Sequence, residues 1–326
     1  MRVAFAGVAH SHPFSDAAGL VARGAKITGV WDRDDPERRR DFSARFGAPE
    51  LPGLADLLAL NPDVVVATPR TSRAAEVAGA CAAAGIPVFA NKTIAADAAG
   101  LARWDALPTG ARFTSSVLRF APGLGTFATT LRGERVHAVE VHAQHDIAGF
   151  LAADRRWQDE PSGAGGTLVN IGVHAWEMLD VVLPGGRAEI RSAVRTTGVS
   201  RTASELLGSV HAVVDGVPVS VTIAGVGGAD RYAVRVWTDQ GMRELVLPDD
   251  ADGLGYGATA DAVCALARGV VPVDPSRTSA VYRNAIAAAE AARRDEGFLG
   301  RETGAEPRLP RGHARTDGDD AGSETT

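Results

Sequence analysis

Two polar residues four positions apart, Asn170 and His174, sit in the otherwise apolar run GAGGTLVNIGVHAWEMLD at residues 163–180. Positions i and i+4 share a helix face, so the spacing predicts a helix on which Asn170 orients, or hydrogen-bonds near, the His174 ring while Leu, Ile and Val cover the other side. An imidazole held this way suits proton transfer near neutral pH. An ordinary helix with a polar stripe reads the same in isolation, so the meaning of the pair depends on the residues that precede it.

Those residues alternate between short apolar runs and helical stretches. Runs at 3–6, 27–31, 64–67, 88–90 and 113–117 read as strands. Between them, 14–23, 54–60, 74–84 and 101–107 read as helices, and Asp35-Pro36-Glu37 supplies the cap, first-turn proline and first-turn acid of another. Short apolar strands separated by helices predict a doubly wound parallel sheet covered on both faces, with ligands outside the carboxyl ends of the strands. The first strand-to-helix turn reads GVAHSH, so Gly7, Ala9 and His12 stand at the three glycine positions of a dinucleotide fingerprint. Gly7 can make the tight turn and Ala9 leaves backbone near a pyrophosphate, whereas His12 predicts a bulged loop. Asp32, closing the second strand, is the acid expected to hold an adenosine ribose through its 2′-hydroxyl, although a solvated strand-end residue looks the same. An acid there favours NAD; Arg33 beside it leaves NADP open, because a guanidinium pairs with a 2′-phosphate.

From residue 136 the pattern changes to apolar alternation at 136–146, 190–199, 209–214, 217–224, 232–238 and 243–247. Asp215-Gly216 between two of these runs predicts a two-residue hairpin and hence an antiparallel sheet. Helices are expected at 258–268 and 278–294. The organisation is therefore a Rossmann domain over 1–120, an α/β domain with an open, mainly antiparallel sheet over 121–298, and a disordered tail over 299–326 that lacks apolar periodicity.

Composition narrows the function classes. The chain has 326 residues, 45% hydrophobic and 23% charged, enough for two domains with a substantial core. A net charge of −6 gives no field for nucleic acid or anionic membrane. No signal peptide and no run of about 18 apolar residues is found, so a cytoplasmic protein is expected. The two cysteines, Cys81 and Cys264, fall inside predicted helices and read as small apolar residues. No metal is expected: on an extended strand His142, Gln144 and Asp146 face one way and His145 the other, and His10 and His12 diverge too if their loop is extended.

The order of the Gly7 loop, Asp32, Ala67-Thr68-Pro69, Asn91-Lys92-Thr93, Arg119-Phe120-Ala121-Pro122 and the 165–174 segment GGTLVNIGVH resembles the glucose-fructose oxidoreductase, inositol dehydrogenase and MocA family over residues 1–297. The resemblance implies an NAD(P)-dependent oxidoreductase of sugar-, cyclitol- or polyol-like substrates, forming a homodimer or homotetramer through the free sheet face. It implies cofactor contacts from Gly7, Ala9, His10, His12, Asp32, Arg33, Thr68, Pro69 and Asn91. The family's Glu-Lys-Pro corresponds to Asn91-Lys92-Thr93, with Lys92 kept to hydrogen-bond the substrate hydroxyl. Its Asp-x-x-x-His becomes Asn170-x-x-x-His174, with His174 as general base or acid; Asn170 can hydrogen-bond an imidazolium but not neutralise it, so a weaker base or another division of labour with Lys92 is implied.

Other departures matter for the substrate. Relatives commonly carry Pro-Asn and then a histidine beside the nicotinamide, where this chain has Pro69-Arg70-Thr71-Ser72-Arg73. Arg70 and Arg73 are read either as ligands of an acidic substrate group or cofactor phosphate or as solvated helix-start residues. His145 borders the substrate pocket in relatives, and Trp157 stands where they often carry a Trp, for sugar stacking or for packing. The same letters also allow a redox-neutral NAD-using hydrolase, lyase or epimerase, or a ligand-sensing protein without catalysis.

Overall fold

A computed structural model of the chain describes residues 1–197 and 202–294. The first half runs β1 (Arg2–Val8), α1 (His12–Val21), β2 (Lys26–Trp31), α2 (Pro36–Phe46), α3 (Leu54–Ala59), β3 (Val64–Thr68), α4 (Ala74–Ala83), β4 (Val88–Asn91), α5 (Ala98–Asp105) and β5 (Arg112–Ser115). Its five strands are all parallel, in the order β2-β1-β3-β4-β5. Every residue of β3 is buried, because helices cover both faces of the sheet and a Val-Val-Val-Ala run can face apolar partners either way. Asp35 caps α2 through its side chain to the Arg38 N–H, as the sequence predicts. Between α2 and α3, Glu50 makes a single parallel bridge to Val30 on the outer side of β2. Flanked by Pro49 and Pro52, which donate no N–H, this segment adds only that one bridge where a doubly wound fold of this kind carries a further edge strand.

The second half runs α6 (Pro122–Thr130), β6 (Val136–Gln144), α7 (Pro161–Ala164), α8 (Gly166–Asn170), α9 (Gly172–Val182), β7 (Ala188–Thr196), β8 (Leu207–Val214), β9 (Val217–Ala224), β10 (Arg231–Thr238), β11 (Gly241–Val246), α10 (Tyr256–Ala267) and α11 (Pro275–Arg294). Its six strands are ordered β11-β10-β6-β9-β8-β7, antiparallel except where β6 meets β9. The Asp215-Gly216 hairpin forms as expected, with φ of 49° and 81° at its two residues, the left-handed pair that the tight turn between β8 and β9 requires. Inward residues such as Val139, Val141, Val221 and Val234 are buried, while Glu140, His142 and Arg235 face outward. Residues 198–201 and the expected tail at 299–326 lie outside the described residues.

Two features lock the halves together. Helix α10 returns to the first sheet, where Ala260, Val263 and Leu266 join Val3, Phe5, Phe89 and Phe113 in one apolar cluster. Helix α9 is apolar on every side and lies wholly between the second sheet and the rest of the molecule, with ten of its eleven residues buried. Its two carboxylates therefore need buried partners. Arg119, which ends the first half just after β5, reaches Glu177 at 3.4 Å and Asp180 at 2.6 Å, Arg277 of α11 binds Asp180 at 2.9 Å, and the Ser116 N–H and hydroxyl both donate to Glu177.

Removing one member of such a network strands a buried charge. Arg119→Met is expected to lower unfolding stability by about 3–5 kcal/mol in urea titration; a loss below about 1 kcal/mol would show that the network does not hold α9 in place.

Candidate active site

The loop after β1 turns sharply at Gly7, whose φ is +93° and where an added Cβ would lie 2.4 Å from the Pro69 nitrogen. Thr68 and Pro69 thus form the floor under the turn, and the Thr68 hydroxyl donates to the Gly7 carbonyl at 2.7 Å. Asp32 fixes the loop from the other side. Its carboxylate accepts the N–H groups of Val8 at 2.6 Å, Asp34 at 2.7 Å and Asp35 at 3.0 Å, and burial raises its pKa. Three donors leave a carboxylate room for one more, so the group expected at a ribose is at the same time the anchor of the loop. Arg33 is exposed beside it.

The carboxyl edge of this sheet fits a dinucleotide on two counts. Ser11 makes no side-chain cap, so first-turn N–H groups of α1 remain for an anion. Arg70 Nε and Thr71 Oγ1, just past β3, are buried without partners among the described residues, as atoms awaiting a phosphate or ribose would be.

A cavity of about 80 Å³ opens between this edge and the second sheet, lined among others by His10, His12, Lys92, His145, Arg155, Gln158, His174, Asp230, Tyr232 and Tyr256. Lys92 and His174, from separate halves of the chain, meet there. Lys92 follows β4 through a cis peptide to Thr93, and its Nζ donates to the Asn170 backbone oxygen and to Asn170 Oδ1, both at 3.2 Å. Thr93 Oγ1 donates to the same Oδ1 at 3.0 Å. Burial, with the Arg155 guanidinium nearby, pushes the Lys92 ammonium down to about 7. His174 is 4% exposed; burial first and the Lys92 charge second hold it well below the ordinary imidazole range, so the ring is neutral at neutral pH. It packs against Tyr232 at 5.4 Å between ring centres.

Around this pair, His145 Nδ1 meets Asp230 Oδ2 at 2.6 Å, with Tyr232 Oη at 3.4 Å from the same nitrogen. Burial favours the acid form of Asp230, but the bond to His145 and the Asp146 N–H hold its carboxyl below the usual range. His12 Nδ1 lies 3.3 Å from Tyr256 Oη at the start of α10, and burial with the Lys92 charge pushes the imidazole down to about 3. His10 is likewise held far below its ordinary range, by burial and then by Lys92.

Several expectations change. Asn170 does not serve His174: the helix breaks at Ile171, so Asn170 ends α8 and turns to Lys92 and Thr93, while His174 Nδ1 has no partner among the described residues. His10 and His12 do not diverge, because His12 already begins α1 and both rings line the cavity, 6.3 Å apart. Asn91, expected at the cofactor, donates to Asp16 of α1 at 2.9 Å. Arg73 binds Asp34 at 3.0 Å and Glu76 at 3.2 Å and, like Arg70, is not among the cavity residues. Trp157 packs on Ala9 and Ala164, edge-on to His10, as a wall of the loop and not of the cavity. His145 does line the cavity. Sequence reading passed over Arg155, Gln158, Asp230, Tyr232 and Tyr256. Tyr232 shows itself only as an inward position of β10, and Tyr256 carries no local signal, since its partner His12 lies 244 residues away.

No protein-family model and no curated protein matches the sequence. Solved structures do match the fold. GenD2 from gentamicin A biosynthesis, in complex with NAD, is 20% identical with a TM-score of 0.78, covering 90% of this chain and 94% of its own. The chain shares its fold with this NAD-bound protein. The WlbA dehydrogenase of Bordetella pertussis, in complex with NADH and UDP-GlcNAcA, is 18% identical with a TM-score of 0.76, covering 90% and 96%. The myo-inositol 2-dehydrogenase of Lactobacillus plantarum is 14% identical with a TM-score of 0.75, covering 90% and 97%.

An opposite charge within hydrogen-bond reach favours an ammonium by about 1–3 pKa units. Asn170→Asp is therefore expected to move the Lys92 titration upward by that amount, read as the pH dependence of Lys92 acylation by mass spectrometry. An unmoved midpoint would show that Asn170 does not set the charge of Lys92.

Proposed function

We propose that the chain is an NAD(P)-dependent oxidoreductase that transfers hydride between the nicotinamide and a sugar-, cyclitol- or polyol-like substrate, with Lys92 and His174 handling the hydroxyl proton. The observation that carries this reading is the meeting of a lysine brought near neutrality with a neutral imidazole, in a cavity at the carboxyl edge of a dinucleotide-type sheet. The shared fold with NAD- and NADH-bound dehydrogenases supports it.

The helix end at α1, Asp32, Arg70 and Thr71 hold the dinucleotide. The nicotinamide supplies the hydride acceptor in oxidation and the donor in reduction. Lys92 Nζ, held by the two Asn170 oxygens, accepts the hydroxyl proton as the C–H electron pair leaves the substrate carbon, and returns it in the reverse direction. His174, neutral and packed on Tyr232, hydrogen-bonds the same oxygen and fixes its direction. Of the two residues, Lys92 is the base, because its pKa near 7 matches the working pH better than an imidazole held far below. Asp32 favours NAD, since a buried carboxylate repels a 2′-phosphate. The exposed Trp237, Met242 and Val246 on the outer sheet face fit a homo-oligomer, and the two free cysteines fit a cytoplasmic location.

Wild-type protein supplied with NAD or NADP and a panel of polyols is expected to generate the absorbance of reduced nicotinamide. Lys92→Met should lower kcat by about 100- to 10,000-fold. Because the free amine is the base, oxidation should rise as pH passes through about 7 and reduction should fall over the same interval. Failure to bind either cofactor would overturn the proposal.

A further inference from the structure

The cavity is unbalanced in its hydrogen-bonding groups. His10 Nε2, Arg155 Nε, Gln158 Nε2 and His174 Nδ1 are all buried without a partner among the described residues, and all four residues line the same space. Arg155 Nε and Gln158 Nε2 can only donate, and a neutral imidazole donates from one nitrogen. The cavity's one carboxylate, Asp230, is already taken by His145 and the Asp146 N–H. The arrangement of the donors is built. Gln158 is 1% exposed and sits at the end of a short 3₁₀ turn, Arg156–Gln158. Its Oε1 accepts from Arg155 Nη2 at 3.2 Å, which leaves the amide nitrogen free of that contact. The guanidinium is held over the Phe150 ring at 5.2 Å. Buried donors without acceptors cost free energy unless a ligand brings the acceptors.

We infer that the substrate carries a carboxylate beside its reacting hydroxyl: a hydroxy acid or sugar acid whose carboxyl group seats on Arg155 and Gln158, with His10 next to them, while the hydroxyl faces Lys92 and His174. This rests on the oxidoreductase reading for the role of the hydroxyl, but the carboxylate site stands on the donor count alone. A planar, two-oxygen acceptor matches the planar guanidinium and amide better than a tetrahedral phosphate does. It also balances the charge of a cavity that holds Lys92 and Arg155 against Asp230.

The test is calorimetric titration in matched pairs, with NAD present and absent: D-glucuronate against D-glucose, and L-tartrate against threitol. At least one acid is expected to bind about tenfold or more tightly than its neutral partner, the contribution of a charge-assisted pair. Arg155→Met should abolish that preference and leave the neutral compound unchanged, and Arg155→Lys should restore part of it. Equal binding within both pairs, no binding by either acid, equal loss of acid and neutral ligand in Arg155→Met, or tighter binding of glucose 6-phosphate than of glucuronate would each overturn the inference. Binding needs no turnover. An acid that binds without forming reduced nicotinamide counts against the oxidoreductase alone, and turnover confined to neutral polyols counts against the carboxylate alone.

Discussion

An ammonium sealed from water must have acceptors supplied by the protein, and among the described residues Lys92 finds them on Asn170. That requirement spans the two halves of the chain, since the lysine closes the fourth strand of the first sheet and the asparagine ends a helix packed on the second. The hydrogen bonds are few, so the distance between the halves must be set by something stiffer. Arg119, Glu177, Asp180 and Arg277 provide it, fixing the rotation of α9 and with it the direction of His174, which shares a helix face with Glu177.

Asn170 also decides what kind of group Lys92 is. A carboxylate in its place would stabilise the ammonium, whereas an amide oxygen offers a hydrogen bond without neutralising charge. Buried beside Arg155, the amine is left near neutrality, and burial first and the lysine charge second keep the His12 and His174 rings uncharged. Under the proposed function, the amide at position 170 thus shifts the acid–base role toward Lys92.

Much of this was readable in the linear sequence where the signal is local. The Val64–Thr68 run, the Asp35-Pro36 cap and the Asp215-Gly216 hairpin each follow from residues within a few positions of one another, and each appears where expected. Motif order singles out Lys92 and His174, and both line the same cavity. What the letters did not carry is direction. The break at Ile171 uncouples Asn170 from His174, and the early start of α1 swings His10 and His12 into the cavity instead of apart. Arg73 finds Asp34 across two strand ends. Such outcomes depend on partners tens or hundreds of residues away, which a reading of spacing does not register.

The return of α10 to the first sheet has a consequence for how the molecule can be divided. A fragment ending near residue 120 would retain all five parallel strands yet leave Phe5, Phe89 and Phe113 without the Ala260, Val263 and Leu266 that cover them. The nucleotide-type half is thus completed by the chain's last hundred residues, and excising or grafting it demands that late helix as a spliced companion.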